Sequence, residues 1–181
     1  MRIISGSFRG KKITAPSNLP VRPTTDFAKE GLFNVLNNQF DFDEISVLDL
    51  FSGIGSISLE FLSRGSKQVV AVDSEQKCVK FLEETTNQLN LKDSISVYLN
   101  DVTKFLKRNN QRKFEVVFAD PPFDFEHEQY LEIIGLVMEN GWLEENGILI
   151  LEHSSRIRFE GHKNLIQNRK YGNVNFSFFG N

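Results

Sequence analysis

Between residues 45 and 152 the chain alternates short apolar runs with longer amphipathic segments. The apolar runs are typical of buried strands and predict strands at 46–51, 68–73, 95–99, 114–119 and 147–152. The amphipathic segments carry apolar residues at helical spacing and predict helices at about 56–64, 75–90, 102–109 and 127–139. This alternation predicts βαβ units, and therefore a parallel sheet with helices on both faces.

The two ends of the chain depart from this pattern. Near the N-terminus, Ile3-Ile4 and Lys12-Ile13-Thr14 flank a glycine-containing turn, which predicts a short hairpin. A linker marked by Pro16, Pro20 and Pro23 follows, and Thr24 or Thr25 is a suitable N-cap for a helix over about 26–38. At the C-terminus, the segments 164–169 and 173–179 predict an antiparallel pair that closes one edge of the sheet.

Length and composition narrow the class of protein. A chain of 181 residues with 40% hydrophobic and 25% charged residues is typical of one globular domain. No apolar stretch approaches the roughly 20 residues of a membrane-spanning helix, and the first residues lack the apolar core of a secretory signal. The single cysteine excludes an intrachain disulfide. We therefore expect a cytoplasmic protein that does not enter a membrane.

Charge is unevenly distributed along the chain. Residues 1–25 carry a formal charge of +5 and no acidic residue, whereas the other 156 residues carry a net −8. A basic arm on an acidic body favours contact with a polyanion such as RNA or DNA. The alternative is a solvated basic surface with no partner.

The most informative short motif is Asp120-Pro121-Pro122-Phe123, which directly follows the apolar run that ends at Ala119. The prolines keep the chain stiff and extended where the strand stops. A rigid carboxylate, a rigid backbone carbonyl and an aromatic ring can together hold a planar amino group, since the two acceptors bind its hydrogens and the ring covers its flat face. The motif therefore suggests methyl transfer to an exocyclic nitrogen.

A glycine turn lies upstream, where the first predicted strand ends in Asp49-Leu50-Phe51-Ser52-Gly53-Ile54-Gly55. The glycines allow a ligand to approach the backbone closely. A dinucleotide site is one alternative, but Ser58 occupies the third glycine position of that motif. An acid before the turn would also repel a pyrophosphate, whereas it suits the cationic amino-acid part of S-adenosylmethionine.

Further acids follow the next strands. Asp73 ends the second predicted strand, at the spacing expected of a carboxylate that binds ribose hydroxyls. Asp101 follows the third strand and is placed to bind an adenine amino group, with Val102 against the ring. Each acid alone could be a helix N-cap or a surface charge. Four acids at four consecutive strand ends, completed by Asp49 and Asp120, favour a ligand site.

Taken together, these motifs resemble class I S-adenosylmethionine-dependent methyltransferases and, more closely, the RsmD family, which methylates the N2 amino group of one guanine in bacterial small-subunit (16S) ribosomal RNA. The resemblance covers nearly the whole chain and is carried by residues 2–6, 8–12, 22–26, 32–34, 49–55, 59–60, 62–65, 120–123 and 140–143. Two departures are Ser52 and Ser58, where the family often has alanine and glycine. Both are small, so neither removes a cofactor contact.

The resemblance implies an α/β fold with a Rossmann-like, doubly wound, mostly parallel seven-stranded sheet, an antiparallel last strand and a short N-terminal hairpin extension. It implies a basic RNA-contacting arm at 1–25 and a methyltransferase domain at 26–181. The expected cofactor contacts are Asp49, Phe51, Ser52, Gly53, Gly55, Asp73, Asp101 and Val102.

In the catalytic step, the Asp120 side chain and the Pro121 carbonyl are expected to hold the amino group while Phe123 stacks on the base. Arg2, Arg9, Lys11 and Lys12 are expected to hold the RNA backbone, with Phe8 as a possible stacking residue. Arg22 and Thr24 are expected to cover the cofactor or touch the extruded nucleotide, although a structural salt bridge is as plausible for Arg22. The resemblance implies that the protein is a monomer without a metal ion. It also implies that its partner is 16S rRNA or a small-subunit assembly particle.

Other interpretations of the sequence stay open. An adenine-N6 DNA or RNA methyltransferase can carry the same proline motif, although 181 residues leave no long target-recognition insertion. A nucleotide-binding oxidoreductase and a non-catalytic RNA-binding scaffold are the alternatives from other classes. Among single residues, Cys78 is expected to be a core thiol and Trp142 a packing anchor. Glu152-His153 ends a strand at the ligand edge and is expected to be a cap or surface pair, with a supporting role behind the site as the alternative.

Overall fold

A computed structural model describes residues 1–16, 19, 24–108 and 112–180. The regular elements of these residues are, in chain order, α1 (Asp26–Leu36), β1 (Ser46–Leu50), α2 (Ser56–Ser63), β2 (Gln68–Asp73), α3 (Gln76–Gln88), β3 (Ile95–Leu99), α4 (Val102–Leu106), β4 (Phe114–Ala119), α5 (His127–Glu139), β5 (Leu143–Ser154), β6 (Leu165–Tyr171) and β7 (Val174–Phe179). Short 3-10 turns lie at Phe42–Glu44 and Lys92–Ser94.

The strands of the described residues form one seven-stranded sheet in the order β3-β2-β1-β4-β5-β7-β6. Strands β1 to β5 are parallel, and β7 pairs antiparallel with both β5 and β6. The predicted fold class, with its reversed last strand and its antiparallel C-terminal pair, is confirmed. Because the connections reverse direction between β1 and β4, a crevice is expected at the carboxyl ends of these two strands.

Two apolar cores lie on opposite faces of the sheet because successive strand residues point to opposite sides. One core contains Val47 of β1 and Phe118 of β4 together with side chains of α1, α2 and α3. The other contains Leu48 of β1 and Val117 of β4 together with side chains of α4 and α5. Asp49 therefore lies on the first face, between Val47 and the glycine turn.

Several predicted boundaries shift in the structure. The strand predicted at 147–152 runs from Leu143 to Ser154, and the β4–β5 register is irregular between Phe114 and Val116. The helix predicted at 102–109 ends at Leu106. The two strands of the predicted N-terminal hairpin are reduced to one antiparallel bridge, between Arg2 and Lys12, because the segment bonds to α2 instead of extending the pairing.

Two single-residue predictions are confirmed by burial. The Cys78 side chain is fully buried, and burial raises the pKa of its thiol to about 11, which suits a core residue rather than a nucleophile. Trp142 is buried between Phe105 and Phe114, with both rings stacked on it. Its indole N–H donates to the Leu106 carbonyl at 3.1 Å, so the end of α4 is fixed to the start of β5.

The first part of the N-terminal arm, residues 1–13, is attached to α2 through Glu60 and Ser63. The buried Glu60 carboxylate accepts the backbone N–H groups of Ile4 at 2.7 Å and Ser5 at 3.0 Å. The Ser63 hydroxyl accepts the N–H of Phe8 at 3.0 Å. The arm therefore has a fixed place on the body of the protein.

Lys29 of α1 completes this attachment from the other side. Its buried ammonium donates to the Arg2 carbonyl at 2.7 Å and to the Ser56 hydroxyl at 3.3 Å, and lies 3.6 Å from Glu60. Burial lowers the pKa of Lys29, and the neighbouring Glu60 carboxylate opposes that shift. The same side chain thus connects the arm to the first turn of α2.

Among the described residues, no helix has the length and apolar character required to cross a membrane.

Candidate active site

A cleft of about 370 Å³ opens at the carboxyl ends of β1, β2 and β4, where the topology predicts a ligand site. Its volume is in the range of small-molecule sites, about 300–1,000 Å³. The cleft is lined by the glycine turn, the start of α3 and the proline motif. The lining residues from the predicted sites are Thr24, Asp49, Phe51, Ser52, Gly53, Asp73, Asp120, Pro121 and Phe123.

The glycine turn forms a tight backbone loop at the end of β1. Phe51 has a left-handed φ of +58°, an uncommon and strained conformation for an aromatic residue. Gly55 has a φ of +76°, and a Cβ at this position would lie 2.3 Å from Leu82 Cδ1. Gly55 is therefore required for packing of the turn against α3, although it does not itself line the cleft.

Ser52 marks a polar position in the wall of the cleft. Its hydroxyl is buried and has no hydrogen-bond partner within the described part of the chain. A buried polar atom without a partner is costly, and a ligand that hydrogen-bonds to it removes that cost. This position therefore fits a polar ligand group beside the glycine turn.

Asp49 supplies a carboxyl group at the base of the cleft. One carboxyl oxygen accepts both the backbone N–H of Ser58, at 3.0 Å, and the Ser58 hydroxyl. Burial raises the pKa of Asp49 to about 7, while the Ser58 hydrogen bonds oppose the shift and the Asp73 charge adds to it. A cationic ligand would favour the ionised form of this group. Ser58, the departure noted in the sequence, thus supports the carboxylate.

Asp73 closes the neighbouring side of the cleft at the end of β2. Its carboxylate accepts the backbone N–H of Gly53 at 2.7 Å and that of Glu75 at 2.8 Å. It therefore connects the glycine turn to the start of α3 and keeps its remaining lone pairs for a ligand. The predicted contact between Asp73 and ribose hydroxyls stays a prediction.

The pair predicted to hold adenine lies outside the cleft lining. Asp101 is exposed and caps α4, since its carboxylate accepts the backbone N–H of Lys104 at 2.8 Å and the Thr103 hydroxyl at 2.6 Å. The Thr103 hydrogen bond is the main reason that the pKa of Asp101 is lowered. Val102 is buried in the second core. The adenine contact of these two residues stays a prediction.

The proline motif forms the wall opposite Asp73. The backbone N–H of Asp120 donates to the Leu50 carbonyl at 3.3 Å, which ties the motif to the end of β1. Burial raises the pKa of Asp120 well above its usual range, and the charges of Glu152 and Asp49 add to this effect. Phe123 is 63% exposed at the mouth of the cleft, where its ring is accessible to a ligand.

The role favoured for Glu152 from the sequence, a cap or surface group at the ligand edge, is wrong. Its side chain is buried and its carboxylate accepts the Thr24 hydroxyl at 2.7 Å. Burial raises the pKa of Glu152 to about 7, and the Thr24 hydrogen bond opposes the shift. Thr25 is the N-cap of α1, which leaves Thr24 to line the cleft. His153 is buried as well, and its ring forms a hydrogen bond of 2.7 Å with the Ser177 hydroxyl.

The signal for Glu152 was its position in the sequence, directly after the apolar run 148–151, as Asp120 directly follows the apolar run that ends at Ala119.

The basic residues of the arm lie on its surface. Arg9, Lys11 and Lys12 are exposed, and the Lys11 ammonium lies 6.0 Å from the centre of the Phe8 ring. Arg2 is exposed and pairs with Asp26 at 3.1 Å. Arg2 and Lys12 line a depression that shares Ile54 with the cleft. Arg22 lies outside the described residues, so its predicted role is untested.

The cleft suits S-adenosylmethionine better than a dinucleotide. The Ser52 hydroxyl without a partner, the glycine turn and the buried carboxyl of Asp49 offer polar contacts and negative charge to an ammonium or sulfonium group. The negative charge around the turn opposes a pyrophosphate. Within the described residues, no group of three or more His, Cys, Asp or Glu side chains is arranged to hold a metal ion.

Comparisons with known proteins agree with this geometry. Residues 1–180 match the family model described as "Conserved hypothetical protein 95". The chain is 35% identical to YlbH of Bacillus subtilis over 174 residues, which are 94% of this chain and 92% of that protein. It is 36% identical to ribosomal RNA small subunit methyltransferase D of Haemophilus influenzae over 154 residues, 84% of this chain and 78% of that protein.

A solved structure extends the comparison to the fold. The 16S rRNA N2 G1207 methyltransferase of Thermus thermophilus (RsmC), in complex with AdoMet and guanosine, superposes with a TM-score of 0.71 at 20% identity. The match covers 90% of this chain and 45% of that chain. At this identity the likeness shows a shared fold. Together with the family model, which spans almost every residue, these findings identify the chain as a member of the RsmD family of S-adenosylmethionine-dependent methyltransferases.

Proposed function

We propose that this protein transfers a methyl group from S-adenosylmethionine to the exocyclic N2 amino group of a guanine in small-subunit ribosomal RNA. The observation that carries the proposal is the position of Asp120. Its carboxyl group lies at the end of β4 in one cleft with Asp49 and the glycine turn, and an exposed Phe123 stands at the mouth. The group that would hold the amino nitrogen and the residues that would hold the cofactor thus line one cleft.

The protein's own residues would act mainly by positioning. The Asp120 carboxylate and the Pro121 carbonyl would accept the two amino hydrogens, which favours a pyramidal nitrogen whose lone pair is less delocalised into the ring. Phe123 would stack on the base and direct this lone pair into the cleft. Asp49, Ser52 and Asp73 would hold the cofactor, which supplies an electrophilic methyl group. The departing proton would pass to Asp120 or to water.

The raised pKa of Asp120 bears on this step. Before any ligand binds, the nearby Glu152 and Asp49 favour the protonated form of the Asp120 carboxyl group. The amino hydrogens of the substrate and the positive charge of the cofactor would favour its ionised form. Binding of both ligands would therefore convert Asp120 into the acceptor that the reaction needs. Once the methyl group has left, the same environment favours uptake of the proton by Asp120.

The RNA would be bound by the arm. A base in a stacked helix cannot present its amino group to a cleft, so the target guanine must lie in a loop or be extruded. Arg9, Lys11 and Lys12 would contact phosphates, and Phe8 could stack on a base. Support for an rRNA substrate comes from the Haemophilus influenzae relative, which is named as a small-subunit rRNA methyltransferase. The same proposal includes a small-subunit assembly particle as the form in which the RNA is bound, and a monomeric enzyme.

The test is methyl transfer from labelled S-adenosylmethionine onto small-subunit particles that lack the modification, with the methyl group located by mass spectrometry. Asp120→Ala should lower kcat by at least about 100-fold while cofactor binding, measured by calorimetry, persists. Asp124→Ala changes an exposed acid in the same loop and serves as the matched control.

Each outcome separates one interpretation. Methyl on N2 of guanine supports the proposal, and methyl on N6 of adenine replaces it with the adenine-methyltransferase alternative. Binding of NAD without binding of S-adenosylmethionine would indicate an oxidoreductase. Unchanged methyl transfer by Asp120→Ala would refute the role of Asp120.

A further inference from the structure

Glu152 lies beside Asp120 at the carboxyl edge of the sheet. Strands β4 and β5 are parallel neighbours, with Phe118 opposite Ile150 and Ala119 opposite Leu151. Continuing this register by one residue places Asp120 opposite Glu152. Since side chains alternate between the faces of a sheet, both carboxyl groups point to the face that carries Phe118 and Ile150. Neighbouring strands lie about 4.8 Å apart, so the two acid groups are close to one another.

Glu152, which is only 4% exposed, and the half-buried Asp120 lie side by side, an arrangement that is unfavourable in the protein alone. The charge of Glu152 adds to the rise in the pKa of Asp120 that burial causes. Among the described residues, no lysine or arginine forms an ion pair with either group. Within the described part of the chain, the Thr24 hydroxyl is the donor to the Glu152 carboxylate, and it donates to Oε2. The arrangement costs stability and therefore indicates a function.

One edge of guanine offers hydrogen-bond donors that fit these two acids. Guanine carries an N1–H beside its N2 amino group, so two adjacent ring positions present hydrogen-bond donors. An ionised carboxylate only accepts hydrogen bonds. If Asp120 and Pro121 bind the amino group, as the proposed function states, the next acceptor along the sheet edge is Glu152, which is bonded to the cleft-lining Thr24 but is not itself a lining residue. Its extra methylene gives the carboxylate a longer reach than that of Asp120.

We propose that Glu152 is the specificity-determining residue for the base: its carboxylate accepts the N1–H of the target guanine, with Thr24 orienting the carboxylate. This inference rests on the proposed function and extends it from the reacting amino group to the recognition of the whole base edge. Adenine has an acceptor at N1, so an ionised Glu152 opposes its binding. A site built to receive a donor discriminates strongly against a ligand that lacks it.

The analogue 2-aminopurine tests this contact. It keeps the amino group on C2, has an acceptor at N1 in place of the N1–H, and lacks the O6 carbonyl, so the Glu152→Gln variant is needed to assign the effect to N1. We expect the wild-type enzyme to methylate RNA that carries 2-aminopurine at the target position with a kcat/KM at least about tenfold below that for guanine. Equal values for the two RNAs would overturn the inference without the use of any variant.

Glu152→Gln reverses the polarity of the contact. The glutamine amide offers an N–H donor at the same place, which suits the N1 acceptor of 2-aminopurine. We expect the preference for guanine over 2-aminopurine to fall by at least about tenfold. The matched control is Glu115→Gln on the opposite end of β4, where the carboxylate accepts the Ser46 N–H at 2.7 Å far from the cleft. The control should keep the wild-type preference.

The outcomes distinguish the inference from the function on which it rests. If the wild-type product is not N2-methylguanine, the proposed function fails. If the product is N2-methylguanine and the Glu152→Gln preference equals that of the wild type, only the role of Glu152 fails. Because the measured quantity is a ratio for one enzyme preparation, a partial loss of folded protein does not change it.

Discussion

Removal of the Glu60 side chain should detach the N-terminal arm from the protein. Glu60 is fully buried on α2, and its carboxylate accepts N–H groups from Ile4, Ser5 and Arg64 at 2.7, 3.0 and 2.9 Å. It also lies 3.6 Å from the buried ammonium of Lys29. Glu60→Ala therefore removes the acceptor for three donors and the partner of two charges, those of Lys29 and Arg64.

The magnitude follows from these contacts. Each hydrogen bond to a charged group contributes about 1.5–3 kcal/mol, but the contributions are not additive because the arm relaxes into water. The appropriate comparison is removal of one partner from a buried ion pair, which costs about 3–5 kcal/mol. We expect the free energy of unfolding to fall by this amount. Glu84→Ala breaks an exposed Lys80–Glu84 pair on α3 and should cost less than about 0.5 kcal/mol.

Urea denaturation measures the stability, and hydrogen exchange locates the effect. In Glu60→Ala the amides of Ile4, Ser5 and Phe8 should exchange faster, whereas those of central β4 should be affected only through global unfolding. Without its fixed position the arm should contribute less to RNA binding. The affinity for RNA should therefore decrease, and it should change less with salt concentration. A variant that stays within about 1 kcal/mol of wild type and keeps slow exchange in the arm would refute this account of the attachment.

Three further predictions concern the cofactor cleft. Ser58→Ala removes a hydroxyl donor to Asp49, so the affinity for S-adenosylmethionine, measured by calorimetry, should fall about three- to tenfold at pH 7 and less at pH 8.5, where the carboxyl is ionised in both proteins. Because the pKa of Asp49 is raised to about 7, the ligand-free folded protein holds this proton more tightly than the unfolded chain. The free energy of unfolding should therefore decrease by about 4 kcal/mol as the pH rises from about 4 through 7. In Asp49→Asn, thermal unfolding should depend less on pH over this range. Gly55→Ala brings a Cβ within 2.3 Å of Leu82 and should reduce the unfolding free energy, measured in urea, by about 2 kcal/mol or more, against about 1 kcal/mol for Gly10→Ala, where no atom lies within 4 Å; equal losses in the two would contradict the steric explanation.

The sequence was sufficient for the order of elements and for the two principal motifs of the site. Strand and helix periodicities are local properties, and the boundaries of β2, β3, β4 and α5 were predicted without error. The glycine turn and the proline motif each follow a buried parallel strand. Since the carboxyl ends of parallel strands share one edge, their meeting in one cleft could be expected before the structure was known.

Contacts between distant residues could not be predicted in this way. Lys29 and Glu60 look like ordinary surface charges on two helices, and only the packing of α1 and α2 against the arm buries them together. Asp73 and Asp101 are both acids at or just after the end of a predicted strand. Asp101 nevertheless caps the helix α4, whereas Asp73 lines the cleft. Local sequence does not record which side of a helix start faces a cavity.

The sequence alone determined the alternation of elements, the turn that can receive a cofactor and the acid that can hold an amino group, because these depend on neighbouring residues in the chain. The tertiary structure decided that Glu152 stands beside Asp120 and bonds to Thr24, a residue 128 positions away. The order of strands in the sheet sets this pairing, and burial on both sides then shifts the pKa of each acid. Such an environment arises only when separate strands and the N-terminal segment are packed together.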